Sequence, residues 1–161
     1  MADALSRLWR IIVSFRRLGT LGPRQWVMLP QLVVLASMIT VGLRIARFAT
    51  VVDAVSRASR SSYLRWLPAF QNRCSIGDLV AVTGIASRVS FRNRCLVRSL
   101  MLFWLMCARD EPAEIVLGVS KRGAEFRAHA WTLNHSGLLG EDPRTLEQFA
   151  VLAKFGNGLE L

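Results

Sequence analysis

The chain has 161 residues and a mass of 18.0 kDa, enough for one domain with a modest extension. With 52% hydrophobic residues and a mean hydropathy of +0.33, intrinsic disorder is excluded and a membrane or apolar partner has to be considered. The net charge of +10 is unevenly spread: residues 1–73 hold eleven arginines against two acids (Asp3 and Asp53), while residues 74–161 hold ten Lys and Arg against nine acids.

That asymmetry points to attraction between the first half and an acidic peptide, protein or membrane surface. Nucleic-acid binding is not expected, because the basic half has neither aromatics interleaved on strands nor a docking motif. Residues 4–17 place Leu5, Leu8, Ile12 and Phe15 on one stripe at helical spacing, and Gly19 and the Gly22-Pro23 pair end it. Arginines interrupt the apolar positions and no small-residue cleavage site follows, which argues against a secretory signal. Three cysteines without paired spacing (Cys74, Cys95, Cys107) argue for reduced thiols and a cytoplasmic setting.

Residues 25–43, QWVMLPQLVVLASMITVGL, carry no charge between Arg24 and Arg44. That is close to the roughly 20 residues needed to span hydrocarbon. Pro30, Gln31, Ser37, Thr40 and Gly42 within it, and positive charge at both ends, favour a helix buried against the protein or lying in an interface. This helix is predicted to run to about Thr50. A third, over 50–60, carries Val51, Val52 and Val55, with Arg57 and Arg60 at its end, where cations suit the helix dipole. Residues 61–73 read as a connector.

From Cys74 onward the pattern changes. Ser75 and Asp78 have the spacing of a helix start, predicting a helix over 76–87. A second, opening at RNRCLVRSLMLFWLM with Asn93 as its cap, runs to about Cys107; its residues 100–107, LMLFWLMC, are apolar on every side, as a helix enclosed by a core should be. Strand patterns follow at 114–120, 125–134 and 138–141, and residues 143–155 read as a final helix, with Asp142 as N-cap and Pro143 at its first position. The predicted fold class is α+β, a buried helix on a small antiparallel sheet. The predicted units are a helical, basic N-terminal extension (1–73) and a second domain (74–161).

Cys95 falls at the second position of its helix, where unsatisfied backbone N–H groups and the positive dipole end favour thiolate; Arg92, Arg94 and Arg98 add positive charge. Cys74, in a connector, and Cys107, at the end of an apolar run, lack that setting. His129 lies mid-strand on the face of Arg127 and Trp131, whereas His135 sits in a turn and reads as solvated. Glu141 and Asp142 end the next strand, which in a hairpin runs back toward His129. A cysteine at a helix start, a strand histidine and an acid on the adjacent strand make up the general layout of cysteine acyl-transfer enzymes. In that layout backbone N–H groups at the helix start, including that of Cys95, contribute to an oxyanion hole. No closely spaced second ligand accompanies Cys95 or His129, so no metal is expected, and no phosphate-binding glycine loop or other cofactor motif is found.

RCLVRSLMLFWLM, EIVLGVSK, AHAWTLN and GEDP together resemble the leader peptidases of lasso-peptide biosynthesis, a transglutaminase-like branch of the papain-type cysteine proteases. The resemblance covers about residues 75–155. It implies a papain/transglutaminase-like core and cleavage of the leader from a ribosomally made lasso precursor peptide. The freed α-amine is then closed onto an Asp or Glu side chain by an asparagine-synthetase-like cyclase. Carried over by position, the nucleophile is Cys95 and the base His129. Counting from the turn glycine favours Asp142 as the acid, with Glu141 second. The sequence reads HAWTL where the family commonly has HAWVE. Residues 1–73 lack the strands of a fused leader-recognition domain, so the resemblance implies the split type, working with a separate recognition protein. The basic apolar helices are then a docking surface for that protein, the cyclase or, peripherally, a membrane. The alternatives are a non-enzymatic helical membrane-associated or scaffold protein and a transglutaminase-type acyl transferase.

Overall fold

The computed structural model describes residues 21–59, 69, 74–90, 93–122 and 125–156. Along them run α1 (Pro23–Ile45), α2 (Phe48–Ser59), α3 (Ile76–Ala86), a 3₁₀ turn at Ser87–Val89, and α4 (Arg94–Cys107). These are followed by β1 (Ala113–Arg122), β2 (Glu125–Asn134), β3 (Gly137–Leu138), α5 (Pro143–Leu146) and β4 (Ala150–Gly156). The helix expected over 4–17 and, apart from Ala69, the connector over 61–73 lie outside the described residues.

The strands form one antiparallel sheet in the order β3-β2-β1-β4. Helix α4 packs on β2 and β1 and is enclosed on its other sides by α1, α2, α3 and the 3₁₀ turn, giving the α+β layout that its all-round apolarity predicts. Val97, Leu100, Met101, Phe103, Leu105 and Met106 are wholly removed from solvent. Truncating one of the leucines to alanine at such a site costs about 2–5 kcal/mol. Thr132 of β2 donates its hydroxyl to the Ser99 carbonyl at 3.0 Å, pinning the strand to the helix one turn beyond Cys95.

Helices α1 and α2 share this core. Met28, Leu32, Leu35, Ala36 and Ile39 of α1 and Val51, Val52 and Val55 of α2 are buried in the same cluster as α4. At the start of α3, Ser75 Oγ accepts from the Asp78 N–H at 3.1 Å, as the spacing predicts. The Asp78 carboxylate accepts from the Gln25 amide and from the Ser75 hydroxyl, which ties α3 to α1 and holds its pKa below the usual carboxylate value.

The structure differs from the sequence reading at three elements. The helix expected to run to Thr50 stops at Ile45, where Ala46 is extended, and α2 starts at Phe48. The third strand ends at Leu138; the Leu139 N–H still bonds to the Thr132 carbonyl at 2.9 Å, but Gly140 then turns the chain with φ +70°. The predicted final helix is one turn, α5, and residues 150–156 form β4 along the free edge of β1. The run FAVLAKF fits either period, and a short apolar run of this kind takes the state its surroundings reward. Here that reward is the β1 ladder and the packing of Phe155 edge-on against Phe48, at 5.0 Å between ring centroids.

Candidate active site

Helix α4 begins at Arg94, so Cys95 occupies its second position, where backbone N–H groups have no intrahelical acceptor. Asn93 caps through its backbone, its carbonyl accepting from the Val97 N–H at 2.9 Å; contrary to the sequence expectation, its side chain makes no capping bond. Arg98 follows Cys95 by one turn and therefore lies on the same side of the helix. Arg92 lies outside the described residues.

His129 stands opposite Gly118 on β1 and reaches the half-buried Cys95 thiol. A second layer of rings holds it: Trp131 stacks at 6.1 Å and Phe149 tilts against it at 5.4 Å between centroids. This packing requires a glycine at 118, because a Cβ there would lie 2.6 Å from Trp131 Cη2. The imidazole is thus positioned from behind by the face of the sheet that α4 leaves free.

On its other side His129 faces Glu141, with Nε2 3.6 Å from Oε2. This is ion-pair distance, slightly beyond a direct hydrogen bond, and Nε2 is buried with no closer acceptor among the described residues. With Nε2 toward the acid, Nδ1 is the nitrogen left for the thiol. Glu141 is itself fixed: Arg98 Nη1 donates to Oε1 at 2.8 Å, and Nη2 donates to the Gly140 carbonyl at 2.9 Å. Arg98 therefore clamps the turn carrying the acid onto the helix carrying the cysteine.

The structure brings Glu141, and not Asp142, to His129. Asp142 is exposed, and its Oδ1 accepts from the Arg144 N–H at 3.0 Å as the N-cap of α5. Of the two roles the sequence allowed Asp142, only the capping one is realised. Gly140, at φ +70°, turns the chain immediately before Glu141, and Arg98 holds both the Gly140 carbonyl and the Glu141 carboxylate. His135 is exposed in the β2–β3 turn. Cys74 has its sulfur 3.5 Å from that of Met28, and Cys107 ends α4, about 18 Å along the helix from Cys95.

The electrostatics follow from this packing. Burial pushes the Cys95 thiol up, but the His129 imidazole, the Ala130 backbone and the Leu96 backbone together outweigh it, leaving the pKa below the thiol value of 9.0. Contact with Cys95, and then with Glu141, raises His129 from 6.5 to about 9 against the opposing effect of burial. His129 holds Glu141 below the usual carboxylate value, burial opposes this, and the Arg98 charge adds to it. Both shifts favour the thiolate–imidazolium form of the pair over the neutral one, with a carboxylate facing the ring.

The sequence did not disclose the clamp by Arg98 or the ring support from Trp131 and Phe149. Arg98 was readable only as a nearby charge, although its one-turn spacing from Cys95 was a usable signal; Phe149 lay in a segment read as helix.

A profile described as Transglutaminase-like superfamily matches residues 35–154, from within α1 through most of β4 and including Cys95, His129 and Glu141. No curated protein and no solved structure gives a significant match. The match covers most of the chain, and the chain belongs to the transglutaminase-like superfamily.

Proposed function

We propose that the protein is a cysteine peptidase that removes the leader from a ribosomally made lasso precursor peptide. The observation that carries thiol chemistry is the convergence of Cys95, His129 and Glu141 at the start of a buried helix. The lasso assignment rests on RCLVRSL, HAW and GEDP at their spacing in this sequence.

In this reading Cys95 Sγ, as thiolate, attacks the carbonyl carbon of the scissile peptide bond. The negative charge that develops on the oxygen is met by backbone N–H groups of the first turn of α4, that of Cys95 among them. The C–N bond breaks as His129 Nδ1 passes its proton to the leaving amine, which departs as the free N-terminus of the core peptide. A thioester on Cys95 remains. Water, losing a proton to Nδ1, attacks it and releases the leader with a carboxylate end and the thiolate restored. Glu141 keeps Nε2 engaged, so the ring stays oriented through both steps, and Arg98 keeps Glu141 in place. A separate leader-recognition protein presents the substrate, and an asparagine-synthetase-like cyclase consumes the freed amine.

The test is mass spectrometry of the precursor peptide incubated with the leader-binding protein and either wild type or Cys95→Ala. Loss of the leader with wild type only is the expected result. Cleavage that survives Cys95→Ala, or an intact precursor in both reactions with the partner shown to bind it, refutes the proposal. An amide crosslink in place of a hydrolysed leader would assign the same thioester to acyl transfer onto an amine.

A further inference from the structure

Helix α1 has two apolar faces, and the fold uses one. Met28, Leu32, Leu35, Ala36 and Ile39 enter the core. On nearly the opposite side Val27, Val34, Met38, Val41 and Ile45 follow one another at spacings of one or two turns, and each is more than half exposed. Pro30 lies on the same stripe and is exposed; Trp26, at its start, is 50% exposed. At 1.5 Å per residue the stripe from Val27 to Ile45 is about 27 Å long. A continuous exposed apolar band of this length marks an interaction surface.

Charge indicates what covers it. Arg24 precedes the stripe, Arg44 and Arg47 follow it, and all three are exposed. No Asp or Glu occurs between Leu21 and Val52. The hydroxyl groups within the helix do not need water, since Ser37 donates to the Val33 carbonyl at 2.8 Å and Thr40 to the Ala36 carbonyl at 2.7 Å. By length and composition alone, α1 is long and apolar enough to cross a bilayer. Its other face, however, is committed to the core, and cations at both ends supply no orientation for a span. A long apolar stripe, an interfacial tryptophan and flanking arginines suit a helix lying in the plane of an anionic lipid surface.

We propose that α1 is a monotopic membrane-binding face. The Val27–Ile45 stripe sits at the acyl boundary, and Arg24, Arg44 and Arg47 pair with lipid phosphates. The arginines set a preference for anionic lipid, and the stripe provides the apolar contact. The surface stands on its own observations and would hold whatever substrate Cys95 acts on.

The experiment is vesicle flotation of the full chain. It uses phosphatidylcholine vesicles with and without phosphatidylglycerol, comparing wild type, the double variant V34E/M38E and the double variant R24E/R44E. Wild type is expected to float with the anionic vesicles at least about tenfold more than with neutral ones. R24E/R44E loses that preference, and V34E/M38E floats with neither. Val34 and Met38 point to solvent, so the melting temperature of V34E/M38E should match wild type, and the alkylation rate of Cys95 should match wild type in both variants, separating this surface from the active site. Absence of wild-type flotation, or flotation unchanged in V34E/M38E, overturns the proposal. So does a wild-type dimer in solution that V34E/M38E dissolves, because the stripe would then serve a second copy.

Discussion

Glu141→Gln is the change that asks most of the site. It keeps the shape of the side chain and its capacity to accept from Arg98 but removes the charge facing His129. At 3.6 Å an imidazolium and a carboxylate attract by about 4–5 kcal/mol at an effective dielectric of about 20. Both side chains retain about a fifth of their exposure and the carboxylate is shared with Arg98, so solvent and competition reduce this to about 1–2 kcal/mol. At about 1.4 kcal/mol per decade the expected loss in kcat/KM is roughly tenfold. The pH profile provides a second readout. His129 is raised to about 9 by Cys95 first and Glu141 second, so Glu141→Gln moves the alkaline limb to lower pH without taking it to 6.5. The sign for stability is the same. A charged imidazole with a raised pKa stabilises fully below 6.5 and loses that contribution as pH rises through about 9. The melting deficit of Glu141→Gln should therefore narrow over that range. A full pH–rate series on a fluorogenic leader–core peptide, with thermal melts in the same buffers, measures all three. Unchanged kcat/KM together with an unmoved alkaline limb would refute the role given to Glu141.

Asp142→Ala should leave kcat/KM within about threefold of wild type and cost about 1 kcal/mol of stability, the usual effect of losing an N-cap, measured by urea titration. Gly118→Ala places a Cβ 2.6 Å from Trp131 Cη2; displacing the ring should cost about 1–3 kcal/mol in the same titration and lower kcat by loosening His129. Gly140→Ala, at φ +70° and with its Cβ 2.6 Å from Arg98 Nη2, should destabilise by about 1–3 kcal/mol and shift the alkaline limb in the same direction as Glu141→Gln. Arg98→Lys, which keeps charge but cannot hold the Gly140 carbonyl and Glu141 together, should recover only part of the activity lost in Arg98→Ala, measured as kcat/KM for both.

Much of this was legible in local chemistry. Cys95 at the second position of an apolar helix, the Ser75 start of α3 and the Asp142-Pro143 start of α5 follow from capping rules and periodicity that act within a few residues. The features the sequence hid depend on partners far along the chain. β4 is a strand because the edge of β1 needed one, a choice FAVLAKF does not make by itself. Glu141 rather than Asp142 reaches His129 because Gly140 turns the chain and Arg98, 43 residues earlier, holds the carboxylate. For α1 the sequence allowed a helix buried against the protein or lying in an interface, and only the packing of its neighbours shows which face they cover and which they leave exposed.

The central claim is that Cys95 is a thiolate activated by His129, and pH-resolved alkylation tests it most directly. Iodoacetamide labelling of the native protein, followed by peptide mass spectrometry, reports Cys74, Cys95 and Cys107 separately in wild type and His129→Ala. The account predicts that Cys95 reacts fastest, with a midpoint below the thiol value of 9.0 that rises when the imidazole is removed. Labelling of Cys95 no faster than that of the other two cysteines, or a midpoint indifferent to His129→Ala, would contradict it.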